Sequence, residues 1–291
     1  MMRVPAKQAV EYEVRTRRMI AAELWKRNEK LIIYRVFIMN IYDDILNLVK
    51  TEDDFEEFLT EHSEWEFIYN LSNIRRNLLD WYEFDKKASL LEIGAECGAL
   101  TGLFLERVSK VVSYEEDEKK AEILKARYGK KRKLTVMTSG LDDISQKYPE
   151  GFDYVTVIGS PSHDVIKKAI SMLKKGGTII VACDNKYGTG RWSQDIDMDK
   201  YSRSSLVSAI KYSGADKDFK VYYPVPNFVL PMEIYSEQRL PKPGDIRDVY
   251  PNYIEGKYVV FNENRTIDSL IEDGMYEQFA NSFLMIGSKS E

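Results

Sequence analysis

Cysteine is scarce in this sequence: Cys97 and Cys183 are the two among 291 residues. Two is too few for a disulfide scaffold, and neither has metal-ligand spacing around it. Long apolar runs are missing as well. The most apolar stretch, Leu31–Ile41, is interrupted by Arg35 and falls short of the roughly 20 apolar residues that a bilayer span requires. The first residues, MMRVPAKQAVEYEV, carry charge throughout and no apolar signal core, so the expected compartment is a reducing cytoplasm. Nor is there an excess of positive charge. Lys and Arg number 42 against 47 Asp and Glu, a net charge of −5, whereas a nucleic-acid binder usually carries a basic footprint. The balance therefore predicts no nucleic-acid partner. Internal repeats and low-complexity segments are absent too.

Apolar residues are plentiful at 44%, with 19 Tyr, 12 Phe and 4 Trp, enough to bury a sizeable core. The length suits one large domain, or one domain with a smaller cap. Residues 1–87 read as a mainly helical cap. Val14, Met19, Ala22 and Trp25 recur at helical spacing, Thr51 precedes three acids as a plausible N-cap, and a helix is expected from Ser63 to Trp81 with Phe67, Leu71, Ile74 and Leu78 on one face. From residue 88 the pattern changes. Short apolar strands (Ala88–Ile93, Lys110–Tyr114, Lys133–Met137, Phe152–Ile158, Thr178–Ala182) alternate with helical stretches (Ala99–Val108, Asp117–Tyr128, Asp164–Leu173). Such alternation predicts right-handed βαβ units and a parallel sheet. A helix over Ser202–Ser213 and late strands at Phe219–Tyr223 and Ser282–Ile286 follow. Residues 224–280, rich in Pro and Tyr, break the alternation and read as a lid-like insertion over the active face.

The sharpest local signal is Leu90-Leu91-Glu92-Ile93-Gly94-Ala95-Glu96-Cys97-Gly98-Ala99: a strand, a glycine turn and a helix start. Glycines let the backbone approach a ligand closely, and a helix N-terminus favours an anionic group. Glu115 closes the next strand, placed to accept hydrogen bonds from ribose hydroxyls. Nicotinamide dinucleotide sites share this geometry. Gly94, Gly98 and Gly102 do not fit the dinucleotide spacing G-x-G-x-x-G, however, and Glu92 sits inside the strand just before the turn.

Glu92–Thr101 resembles motif I of class I S-adenosylmethionine (SAM)-dependent methyltransferases. The chain is similar in particular to a bacterial subgroup often found with glycosyltransferases and cell-surface polysaccharide genes. Asn70–Tyr82, Asp184–Gly188, Tyr222–Pro226, Leu230–Tyr235 and Asn281–Leu284 carry that similarity, which spans roughly residues 65–287. It implies a Rossmann-like α/β fold: a seven-stranded methyltransferase sheet with helices on both faces, its last strand antiparallel, over 88–291. It implies SAM as cofactor. Glu92, Gly94, Ala95 and Gly98 would line the methionine half of SAM, and Glu115 would hold the ribose. Gly140, Leu141 and Asp142 would flank the adenine, and Gly159 and Ser160 would border the sulfonium and the acceptor. The subgroup usually has glycine where this chain has Glu96, a side chain able to crowd the donor, to repel its carboxylate, to pair with its ammonium or simply to face solvent.

For the acceptor side, His163 is the candidate general base, since imidazole titrates near neutrality; as the residue after Ser162 it also reads as a helix start. Asp184, Asn185, Lys186, Tyr187, Arg191 and Trp192 leave the fifth strand towards the carboxyl edge of the sheet and are candidates for an acceptor wall or for plain packing under the lid. The basic run Lys125–Lys133 reads as a solvated helix end. The expectation is SAM-dependent O-methylation of a small-molecule or sugar and polysaccharide-precursor acceptor, with a homodimer or a glycosyltransferase as possible partner. The rival readings are a non-catalytic binding or assembly module with weakened SAM use and a dinucleotide oxidoreductase.

Overall fold

A computed structural model describes residues 41–192, 200–215, 219–247 and 261–290. Parallel strands β1 (Ser89–Ile93), β2 (Lys110–Tyr114), β3 (Leu134–Met137), β4 (Phe152–Ile158) and β5 (Leu173–Asp184) form one half of a sheet. Strands β6 (Lys220–Val225), β7 (Glu233–Ser236) and β8 (Ser282–Ser288) extend it, giving the order β3-β2-β1-β4-β5-β8-β6-β7. The last strand, β8, is antiparallel to β5 and wedges between β5 and β6. Eight strands replace the expected seven. The extra one, β7, is a four-residue edge strand inside the segment read as irregular, and it pairs with β6 from Tyr222↔Ser236 to Val225↔Glu233.

The period-two alternation of the strands divides their side chains between two cores. Leu91, Ile93, Val112, Val155, Ile179 and Val181 face one side, where α6 (Leu141–Lys147), α7 (His163–Ser171) and α8 (Arg203–Tyr212) pack. Leu90, Val111, Ile180 and Ala182 face the other, against Leu103 and Phe104 of α4 (Thr101–Arg107) and Leu78 and Leu79. Both faces are covered, as a parallel sheet requires.

Of the region read as a cap, residues 1–40 lie outside the described residues, and with them the helix read around Val14–Trp25. Residues 41–49 (α1), α2 (Glu56–Glu61) and α3 (Trp65–Leu71) are helical. Their Ile45, Leu48, Phe58, Phe67 and Leu71 bury together with Cys97 and with Ile123 of α5 (Glu118–Tyr128). Thr51 caps no following helix; its hydroxyl donates to the Leu48 carbonyl at 3.2 Å. The helix expected over Ser63–Trp81 is broken at Ser72. That residue is extended (ψ 133), accepts from Ile74 N and starts a separate 3₁₀ helix, Asn73–Leu78. Helix α7 stops at Ser171, two residues short of the expected Leu173, and Gly176 and Gly177 lie in the irregular entry to β5. Among the described residues no helix is long and apolar enough to cross a membrane.

Candidate functional site

The first glycine of the motif terminates β1. Gly94 and Ala95 both donate their N–H to the Tyr114 carbonyl, at 3.0 and 3.1 Å, which carries the β1–β2 pairing just past the strand end. The chain then reverses through left-handed conformations at Gly94 (φ +76), Glu96 (φ +52) and Gly98 (φ +83) before entering α4. At Gly98 the tight approach needs glycine, because a Cβ would stand 2.6 Å from Leu124 Cδ1. At Glu96 the left-handed conformation favours glycine, since an L-residue in this region costs roughly 1–2 kcal/mol.

Glu115, at the tip of β2, is the hub of this turn. One carboxylate oxygen accepts the Glu96 N–H at 2.7 Å and the other accepts the Asp117 N–H at 3.0 Å. Burial pushes its pKa up, while these two main-chain donors pull the other way. Each oxygen keeps a second lone pair, which suits a vicinal diol. The Glu96 side chain does not lie free in solvent. It forms an ion pair with Lys120 of α5, so its charge is largely balanced before any ligand arrives.

Above the turn lies a cleft of about 270 Å³ lined by Gly94, Glu96, Glu115, Leu141, Gly159 and Ser160, with Tyr114, Val157 and Val165 among the residues completing it. It sits at the carboxyl edge of the parallel strands, the edge at which open α/β sheets bind ligands. The site a Cβ would occupy at Gly159 has nothing within 4 Å, so the cleft is open where the sulfonium is expected, while Gly140 is exposed and is not among the residues lining the cleft. Asp142, expected beside the adenine, instead points to solvent and pairs with Lys168 at 2.8 Å.

A second, smaller cavity lies under the turn, lined by Arg75, Glu92, Gly94, Ala95, Glu96 and Thr156, among others. Glu92 is buried, and its Oε2 accepts from Ser113 Oγ at 2.6 Å and Thr101 Oγ1 at 2.7 Å. Burial pushes its pKa up to about 7, against the opposing pull of those two hydroxyls and of Arg75. Arg75 is only 4% exposed. Its guanidinium lies 4.1 Å over the Tyr69 ring and donates to the Tyr69 carbonyl at 2.8 Å, while its Nε has no partner. Thr156 Oγ1 is likewise buried without one. Sequence reasoning missed both residues. The signal for Arg75 was a cation inside the Asn70–Tyr82 segment, four residues after the buried Leu71 and three before the buried Leu78.

The acceptor-side candidates divide. Asp184 pairs with Arg191 and, at 3.6 Å, with Lys200. Asn185 is fully buried, donating to the carbonyls of Gln278 and Ala280 and accepting from Tyr187 N, which makes it a clamp. Lys186 Nζ lies 5.2 Å from the Tyr187 ring centre. Trp192 donates to the Tyr187 carbonyl at 3.0 Å and packs on Phe261 and Phe279. The rings of Tyr187 and Trp192 stay partly exposed, and neither residue is among those lining the cleft. His163 is exposed on the first turn of α7, with Ser162 as its cap, and is not among the residues lining the cleft.

The family model described as Ribosomal RNA adenine dimethylase matches residues 50–148, which include the glycine turn, Glu115 and Gly140–Asp142. Ribosomal RNA small subunit methyltransferase A of Mycoplasma mycoides is 26% identical over 176 residues, covering 55% of this chain and 63% of the relative. The protein of the same name from Borreliella afzelii is 26% identical over 138 residues, covering 46% and 47%. The chain thus spans less than two thirds of the length of either relative. Among solved structures, a SAM-dependent methyltransferase from Archaeoglobus fulgidus superposes with a TM-score of 0.50 at 17% identity, over 80% of this chain and 100% of that one.

These matches correct two expectations. The small-molecule or sugar hydroxyl acceptor, and the absence of a nucleic-acid partner, both conflict with a family and relatives named for ribosomal RNA. The physical source of the error is the net charge of −5, a whole-chain sum that says nothing of where the 42 cations lie. The non-catalytic reading gains no better support, and the link to glycosyltransferase genes draws none from the matches. What both the sheet and the matches agree on is the scaffold: the chain has the fold of the class I SAM-dependent methyltransferases, and its donor-site half is similar in sequence to the ribosomal RNA adenine dimethylases.

Proposed function

We propose that the protein is a SAM-dependent methyltransferase whose acceptor is RNA, with an adenine amine as the methylated group. The observation that carries this reading is that the family match takes in the donor side of the cleft: residues 50–148 contain the turn, the ribose acid and Leu141, while residues 157–161 and Val165 lie beyond it. The residues present fit the donor. Glu115 offers two free lone pairs to a ribose, Gly159 leaves room for the sulfonium, Leu141 lines the cleft on the adenine side, and the unpartnered Nε of Arg75 is a donor for a carboxylate, for which its cavity of about 10 Å³ has to widen. Glu92, on the same cavity, suits an ammonium group once ionised. SAM, when bound, supplies an electrophilic methyl on a positively charged sulfur.

The chain's part is alignment and exclusion of water. The loop Gly159-Ser160-Pro161 presents a hydroxyl and main-chain oxygens beside the cleft, acceptors able to orient the hydrogens of an amine. The lone pair of an adenine N6 is conjugated with its ring, so acceptors that hold its hydrogens would turn that pair out of the ring plane for attack, and the proton would pass to solvent after transfer. Tyr187 and Trp192 provide partly exposed rings of the kind on which unstacked bases rest.

The experiment is transfer of label from methyl-tritiated SAM to small-subunit ribosomal RNA, followed by nuclease digestion and chromatography of the nucleosides. Label in methylated adenosine is the expected result. SAM binding by calorimetry without any label in RNA would overturn the acceptor assignment, and no SAM binding at millimolar donor would overturn the methyltransferase reading itself.

A further inference from the structure

Taken alone, Lys125–Lys133 is a solvated helix end. The sheet gives it neighbours that the sequence separates. Helix α5 ends at Tyr128, so the chain enters β3 through Lys130, Lys131, Arg132 and Lys133, all exposed. The adjacent strand β2 opens with Lys110, and β1, next to it, is entered through the exposed Lys86 and Lys87. The pairings Ser89↔Lys110 and Val111↔Leu134 put these three strand entries in one row. Ser109 Oγ donates to the Lys87 carbonyl at 2.9 Å and Lys133 Nζ to the Val108 carbonyl at 3.2 Å, tying the row together.

Six exposed cations therefore share the amino edge of three neighbouring strands. Among the described residues none of the six is in an ion pair. Strands lie about 4.8 Å apart, so the row is about 10 Å wide and faces roughly three phosphates of a helical nucleic-acid strand. Among the described residues the large exposed apolar side chain nearest to it in sequence is Trp81, five residues before Lys86, and its ring is turned against Tyr222 of β6. A lipid-surface site would pair its cations with such groups. The row also lies in reach of the donor cleft. β3 is the edge strand of the sheet, and its four residues rise about 13 Å from Lys133 towards Gly140 and Leu141.

We propose that this basic row is a docking surface for the phosphate backbone of the RNA substrate, which runs along the exposed edge of β3 from the row to the cleft. The proposal rests on the RNA-methyltransferase reading and adds the surface that holds the RNA. It accounts for a concentration of cations in a chain that is acidic overall, and it gives them the role of positioning and not of base recognition.

The test uses the full chain and the triple substitution Lys130→Gln, Lys131→Gln, Arg132→Gln. Binding of a fluorescently labelled small-subunit rRNA fragment is followed by anisotropy across a salt series. Loss of three phosphate contacts should lower the slope of log Kd against log salt by about 2 to 3 and weaken binding at least about tenfold near 0.1 M salt. SAM affinity by calorimetry should be unchanged, since none of the three residues lines the cleft. Unchanged RNA affinity and slope in the triple variant, with the wild type methylating RNA, would overturn the docking surface and leave the function standing. A wild type that neither binds nor methylates RNA overturns both. Retention on phosphatidylserine vesicles that depends on the same three residues, without RNA binding, overturns the proposal in favour of a membrane surface.

Discussion

Substitutions at Glu96 separate the two energies stored at the glycine turn. The residue sits at φ +52, where a side chain costs roughly 1–2 kcal/mol, and its carboxylate is paired with Lys120. The side chains of the pair are 27% and 21% exposed, so the pair contributes at most about 1 kcal/mol. Glu96→Ala loses the pair and keeps the strained conformation, and should destabilise by up to about 1 kcal/mol. Glu96→Gly loses the same pair and relieves the strain, partly offset by the extra freedom of glycine in the unfolded chain. It should therefore be about 1 kcal/mol more stable than the alanine variant and close to the wild type. For a chain of this size that difference is roughly 2–4 °C in Tm. The Glu96 N–H that binds Glu115 is a main-chain group and survives both changes, so the turn itself should persist. Parallel thermal and urea melts of the three proteins make the measurement. An alanine variant as stable as the glycine variant would refute the claim that backbone conformation explains the glycine preference at this position.

Two further outcomes follow from the small cavity. Glu92 normally titrates near 4.5 and is pushed by burial up to about 7, so between those values the folded state holds a proton that the unfolded chain has released. Stability contributed by this group is complete below about pH 4.5 and declines through pH 7, by about 3 kcal/mol at most. Glu92→Gln, which cannot titrate, should thus gain on the wild type at pH 8 in urea midpoints and lose that gain by about pH 4.5; a difference independent of pH would contradict the assignment. Arg75→Gln should weaken SAM binding by about tenfold or more, the worth of a charge-assisted hydrogen bond, while binding of methylthioadenosine, which lacks the amino-acid carboxylate, stays the same. Equal losses for both ligands in calorimetry would show that Arg75 supports the fold and does not hold the carboxylate.

The parallel half of the sheet was legible because each of its strands alternates or runs apolar between glycine turns, and because Gly94, Gly98 and Glu115 sit at spacings that only a strand-turn-helix-strand unit explains. β7 was not, since Glu233–Ser236 is an edge strand with no buried residue and no apolar alternation to announce it. The break at Ser72 was hidden by apolar residues that keep helical spacing on both sides of it. In the site, the cleft-lining glycines were readable. The inward turn of Arg75 was not, because a buried cation is defined by its tertiary partners, here the Tyr69 ring and carbonyl. Asn185 read equally as an acceptor contact or as structural packing for the converse reason: its place at the carboxyl edge was legible, whereas the two carbonyls that take up its amide come from a distant stretch of the chain. The acceptor was misread because the net charge of −5 sums over the whole chain and says nothing of where its 42 cations lie.

The contacts of Asn185 have a consequence for how this fold can diversify. Asn185 fastens the loop after β5 to Gln278 and Ala280, and Asn281 fastens Gly190 and Thr189 to the same point while donating to the Pro226 carbonyl at the far end of β6. Both ends of the insertion are thereby pinned to the wall that carries Tyr187 and Trp192. The chain between the pins behaves like cloth in an embroidery hoop. Exposed positions such as Met232 and Leu240 are the cloth that can be re-embroidered, whereas Phe228, Val229, Ile246, Ile267 and Tyr276 are threads already sewn into the two cores, and Asn185 and Asn281 hold the rim.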